Sequence, residues 1–177
     1  DISQSPDDFM FDRSIALNPE DTATYVKTVV SEMNSAGIGS VLKHFPGYGD
    51  NADTHTDIVV DTRPYEAFVN YDFLPFKAGI DEGAGVVLVS HNIVECMDKE
   101  RPASLSPEVM RILREELRFN GLIITDDLVV DAIGLYTDNE SAAVQAVIAG
   151  NDLLCCTDFT EQIPAVIKAV EDGRIIE

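Results

Sequence analysis

The sequence runs to 177 residues, 45% hydrophobic and 25% charged, enough apolar material for one domain with a sizeable core. Its formal net charge of −20 repels phosphate backbones and anionic membrane surfaces, which argues against nucleic acid and membrane partners. No apolar run approaches the roughly 20 residues that a membrane helix needs.

The three cysteines, Cys96, Cys155 and Cys156, form no disulfide framework and no CxxC spacing. Cys155 and Cys156 lie in an apolar run and read as small core residues, which fits reducing surroundings and favours the cytoplasm. Residue 1 is Asp rather than Met, so the expected start lies upstream, and an export signal there would make the protein secreted.

In chain order, Phe11-Asp12-Arg13-Ser14 reads as a loop. A helix is expected over 21–36, with Tyr25, Val29, Val30 and Met33 at helical spacing and Gly37 as its cap. A strand over 38–42 runs into Lys43-His44-Phe45-Pro46-Gly47. A helix over 65–77 carries Phe68, Tyr71 and Phe76, with an interruption at Pro75. The run 86–89 ends at Ser90-His91-Asn92. Ser106-Pro107-Glu108 starts a helix in the order N-cap then Pro, with Val109, Ile112, Leu113 and Leu117 as its apolar stripe. The run 122–125 ends at Asp126-Asp127, a helix follows over 141–149, the run 152–156 ends at Thr157-Asp158, and a last helix covers 163–171.

Short continuous apolar runs suit parallel strands covered on both faces, and their alternation with helices predicts an α/β fold with right-handed crossovers. Four strand–helix units are visible, whereas a complete (β/α)8 barrel takes about 250 residues. The pattern fits a small open sheet or half a barrel, and composition does not choose between them. In either case the polar residues gather just after the strands, on the face where barrel active sites lie.

Several of these residues have chemistry to offer. Lys43 and His44 at a strand end suit sugar hydroxyls. Asp53 and His55 are spaced so that the carboxylate orients the imidazole for proton transfer, although such a pair also occurs as ordinary loop surface. Asp126 at a strand tip is a candidate nucleophile toward an anomeric carbon, while an Asp-Asp pair equally supplies a helix N-cap. His91 and Arg13 carry little message by themselves. His44, His55, His91, Asp53 and Asp126 also present ligand types for zinc, but no HxH pair follows an early strand.

Taken in order, these pieces resemble family 3 glycoside hydrolases, in the β-N-acetylglucosaminidase (β-hexosaminidase) branch. The matching stretches are Asp12-Arg13-Ser14-Ile15, Lys43 to Gly49, Asp53-Thr54-His55, His91, Arg101-Pro102-Ala103-Ser104-Leu105-Ser106, and Thr125-Asp126-Asp127-Leu128. The resemblance implies that 1–177 is a partial barrel domain, the C-terminal half of a TIM-type (β/α)8 barrel with about strands 5 to 8. It implies Asp126 as nucleophile, His55 as acid/base tuned by Asp53, and Arg13, Lys43, His44 and His91 at the substrate, without metal or cofactor. The implied reaction is retaining removal of terminal N-acetyl-β-glucosaminyl residues from a glycan or glycoside. A β-glucosidase or phosphorylase of the same family, and a non-catalytic carbohydrate-binding fragment, remain the alternatives.

Three positions depart from the family pattern: Tyr48 stands where His is frequent, Ile15 replaces Phe, and Val130 replaces Met. These changes are expected to alter packing or pocket shape rather than reacting groups. A half barrel also exposes strand edges and an uncovered core. The chain is therefore expected to pair with the missing half or to self-associate, and to be inactive or weak by itself.

Overall fold

The apolar runs become a parallel sheet with helices packed on one side. The structure, a computed structural model, describes residues 1–15 and 18–176. Its strands are β1 (Val41–Phe45), β2 (Val60–Asp61), β3 (Val86–Val89), β4 (Ile93–Val94), β5 (Leu122–Asp127) and β6 (Leu153–Cys155). β1, β3, β5 and β6 form one four-stranded sheet in that order, every pairing parallel, while β2 and β4 form a small parallel pair.

The helices are α1 (Pro19–Ser35), α2 (Tyr65–Ala67), α3 (Phe73–Asp81), α4 (Pro107–Arg111), α5 (Asp131–Tyr136), α6 (Asn139–Ala149) and α7 (Phe159–Glu171). Their ends follow local chemistry. Asn18 caps α1 by accepting from the Asp21 amide, with Pro19 in the first turn. At the other end Gly37 adopts φ +71°, and the Ile38 amide reaches back to the Met33 carbonyl. Ser106 caps α4 through the Val109 amide, as its sequence predicts.

The strand at the first run lies three residues later than expected, so Lys43 and His44 belong to β1 itself. Pro75 does not interrupt its helix. A π-helical turn at Phe68–Asp72 joins α2 to α3, and this wider turn sits where the proline amide would otherwise be missed. On α1 the inward line is Thr22, Val26 and Val30 rather than one through Tyr25, which is exposed.

The main core lies between sheet and helices. Leu42, Val87, Val89 and Ile123 meet Phe73, Phe76, Val109, Ile112, Leu113 and Phe119 there. Phe45 stacks on Phe73 at 5.5 Å and meets Phe76 edge-on at 5.3 Å. Side chains alternate across a strand, so Val41, Val86 and Leu122 share one row of the register on the opposite face, and Leu88, Ile124 and Leu153 share the next.

Continuous apolar runs suit cover on both faces, whereas a half barrel leaves one face bare; here Val41, Leu122 and Leu153 on that face are 51%, 47% and 46% exposed. Among the described residues no strand pairs with the outer edge of β1 or of β6. Among the described residues the helices shield one side of the sheet.

Candidate active site

The residues singled out by chemistry meet at the C-terminal ends of the parallel strands. At the end of β1 the Lys43–His44 and Phe45–Pro46 peptide bonds are both cis. A residue that sequence reasoning missed organises this turn. The buried Asp1 carboxylate accepts from the His44 amide at 3.0 Å and the Tyr48 amide at 3.0 Å, and lies 2.6 Å from His44 Nδ1.

With Nδ1 engaged by Asp1, His44 presents Nε2 toward Asp126 Oδ2 at 3.9 Å. Burial pushes its pKa down, opposed by Asp126 and reinforced by the charges of Lys43 and Arg13. Lys43 and Arg13 also line a cleft beside β1 with Asp1, Tyr25, Val41 and Phe76, and the Arg13 guanidinium stands 5.4 Å over the Phe9 ring.

The two carboxylates at the end of β5 divide their work. Asp127 is tied up: it accepts from the Val129 amide at 3.1 Å and binds the Thr157 hydroxyl. Asp126 accepts the Asp127 amide at 2.9 Å through Oδ1, and its other oxygen faces His44. Neither caps α5, whose N-cap is Val130.

Asp53 and His55 form a pair on the loop between β1 and β2. Asp53 Oδ1 accepts the His55 amide at 2.9 Å and lies 2.6 Å from the ring Nδ1. Burial raises the Asp53 pKa, but the two His55 hydrogen bonds outweigh it and hold the carboxyl below its ordinary value. The imidazole is exposed, so its other nitrogen is open to solvent or substrate.

His91 sits differently from the expectation that it touches substrate. It is buried, with Nδ1 2.7 Å from Ser104 Oγ and Nε2 3.0 Å from the Asp127 carbonyl oxygen. Both ring nitrogens are taken inside the protein, so the ring braces the end of β5. Burial is the largest cause lowering its pKa, to about 4, against the opposing charge of Asp126. The unfolded imidazole titrates near 6.5, so the folded state resists a proton that the unfolded state accepts. Stability contributed by neutral His91 is present above pH 6.5 and is lost as pH falls toward 4. Comparing denaturant midpoints of wild type and His91→Gln across that window should show wild type losing on the order of 3 kcal/mol relative to the variant. A constant difference would show that His91 is not held neutral.

A second group the sequence did not reveal holds the Pro46-Gly47-Tyr48-Gly49 loop. Arg63 donates to Asp61, to Asp72 at 2.8 Å and to the Gly47 carbonyl at 3.3 Å, and lies 4.3 Å over the Phe68 ring. Asp61 and Asp72 are both buried. A Cβ on Gly49 would meet the Arg63 guanidinium at 2.6 Å, and one on Gly47 would meet Asp72 at 2.2 Å. The spacing of the two glycines therefore records a buried ion cluster. Among the described residues no three His, Cys, Asp or Glu side chains are grouped to hold a metal ion.

Parallel strands with flanking helices, and carboxylates, histidines and cations gathered at the strand ends, place this chain among α/β domains of the kind that carry sites at that face. Residues 1–177 match the glycosyl hydrolase family 3 N terminal domain, and the chain belongs to that family. It is 33% identical over 163 residues to a β-hexosaminidase of Methylococcus capsulatus, covering 91% of this chain and 48% of the relative. A β-hexosaminidase of Xanthomonas campestris pv. campestris is 36% identical over 118 residues, 66% of this chain and 36% of its own length. The solved β-N-acetylglucosaminidase of Paenibacillus sp. superposes with a TM-score of 0.93 at 32% identity, over 100% of this chain and 35% of that one. The chain thus spans less than half the length of these relatives.

Proposed function

We propose that the site performs retaining hydrolysis of terminal N-acetyl-β-glucosaminyl residues, with Asp126 as nucleophile and His55 as acid/base. The observation that carries this reading is the contrast within the Asp126-Asp127 pair: one carboxylate is consumed by structure, the other turns an oxygen toward the His44 imidazole. The name of the Paenibacillus relative supports the N-acetyl sugar, and the β-hexosaminidase relatives support a hexosaminide.

In the first step an Asp126 oxygen bonds to the anomeric carbon as the glycosidic C–O bond breaks, and protonated His55 gives its Nε2 proton to the leaving oxygen. In the second, neutral His55 takes a proton from water, the water oxygen bonds to the anomeric carbon, and the Asp126 ester bond breaks. Asp53 holds Nδ1–H throughout, which directs the working proton to Nε2. Arg13, Lys43 and His44 hold the sugar, and His91 serves it indirectly by fixing the strand that carries Asp126.

The sheet stands for about strands 5 to 8 of a (β/α)8 barrel. The uncovered rows Val41-Val86-Leu122 and Leu88-Ile124-Leu153 and the open edges of β1 and β6 support this. By itself the chain should self-associate or bind the complementary half and turn over little substrate. Sedimentation and assay of the isolated chain check this: a monodisperse, fully active monomer would falsify the half-barrel reading.

The reaction is tested with p-nitrophenyl N-acetyl-β-glucosaminide beside the matching β-glucoside, using the chain alone and with the complementary half supplied. Preference for the N-acetyl sugar, dependent on that half, supports both readings. A folded, reconstituted barrel with no activity toward either glycoside sinks the catalytic one.

A further inference from the structure

We infer that Tyr48 is a positioning residue for the acid/base loop, holding His55 over the site through a hydroxyl contact with Thr54. This rests on the reading of His55 given above. Tyr48 follows the glycine turn after β1 and is buried, with its own amide fixed by Asp1. Its ring meets His44 edge-on at 5.5 Å and Phe9 at 5.8 Å, so it packs against the imidazole that faces Asp126.

Its hydroxyl reaches the loop that carries Asp53 and His55. The Thr54 amide donates to the phenol oxygen at 3.2 Å, and the two hydroxyl oxygens are 2.5 Å apart. Thr54 stands between Asp53 and His55, so both members of the pair flank the clamped residue. The loop has a second tether of the same kind, because the Ala132 amide donates to the Thr54 carbonyl at 3.3 Å. Thr54 is buried while Asp53 and His55 are not, which makes it the anchor of an otherwise exposed loop. One side chain thereby spans from the wall beside the nucleophile to the residue beside the acid. A phenylalanine would keep the ring contacts and lose only this bridge.

The test uses Tyr48→Phe, with Thr54→Val as the reciprocal variant that keeps the amide contact's donor but removes the hydroxyl. Amide exchange is measured on the chain itself, and turnover on the assembled barrel with an alkyl and a dinitrophenyl N-acetyl-β-glucosaminide. Losing one hydrogen bond should speed exchange of the Thr54 amide about tenfold in Tyr48→Phe. The alkyl glycoside needs a proton on its leaving oxygen and should lose about tenfold in kcat/KM, within the roughly 10²–10⁴ a placed acid contributes. The dinitrophenyl glycoside needs none in order to leave, so its kcat/KM, which reports that first step alone, should change less than about twofold.

Thr54→Val should reproduce the alkyl loss. Equal losses for both leaving groups, or an unchanged Thr54 amide in Tyr48→Phe, overturn the inference. A wild-type barrel without turnover counts against the catalytic reading instead, and amide exchange then decides the clamp separately.

Discussion

Arg63→Ala should destabilise the protein by about 3–5 kcal/mol, the range for removing one partner from a buried ion cluster. Asp61 and Asp72 would be left buried without their cation, and the Gly47 carbonyl without its donor. Burial already pushes the Asp72 pKa up to about 6 despite the opposing charge of Arg63. Without that charge the carboxyl should take up a proton at higher pH still. Equilibrium denaturation at neutral pH measures the loss. Arg63→Met combined with Asp61→Asn and Asp72→Asn should recover much of it, because no uncompensated charge remains. A single variant within about 0.5 kcal/mol of wild type would show that solvent reaches the cluster.

Asp126→Ala should lower kcat of the assembled barrel by roughly 10⁴–10⁶-fold while leaving its folding intact, the scale on which nucleophile removal acts. Folding should survive because Asp126 makes one short-range bond, to the neighbouring Asp127 amide, and no close ion pair. The vacated space offers a second readout. An added anion such as azide can attack the anomeric carbon from the side Asp126 occupied, giving a product of inverted configuration and restored turnover. Asp127→Ala provides the contrast: it should lower stability by releasing the Val129 and Thr157 contacts and cost less in turnover. Equal activity losses in the two variants would assign the nucleophile wrongly.

The sequence was most legible where a pattern is local. The run 86–89 coincides with β3, and Ser106-Pro107 marked the start of α4, because a strand's apolar run and a helix cap are written within a few residues. Asp53 and His55 were legible for the same reason, since their hydrogen bond spans two positions. What was missed had no chemistry written beside it. Asp1 meets His44 across 43 positions, and Arg63, although only two positions from Asp61, stands among ordinary loop charges until Asp72 and the Gly47 carbonyl close the cluster around it. His91 looked like its neighbours at strand ends, and only its two buried partners distinguish bracing from binding. The Pro75 break was overridden by the π turn before it, a choice of helix register that propensity does not encode.

The two apolar rows on the bare side of the sheet have a thermodynamic consequence. Lys43 and His44 on β1 and Asp126 on β5, the groups proposed to act on sugar, stand at the ends of the strands that carry those rows, so whatever covers the rows also steadies them. Where the proposed barrel is assembled from this chain and a separately supplied complementary half, turnover should obey mass action: diluting the mixture should lower specific activity, and excess of the complementary half should raise it toward a plateau. In that regime the glycosidase assay reads out a dissociation constant. Substitutions at Leu88 or Ile124, remote from the chemistry, would shift the concentration at half-maximal activity and leave the plateau where it was.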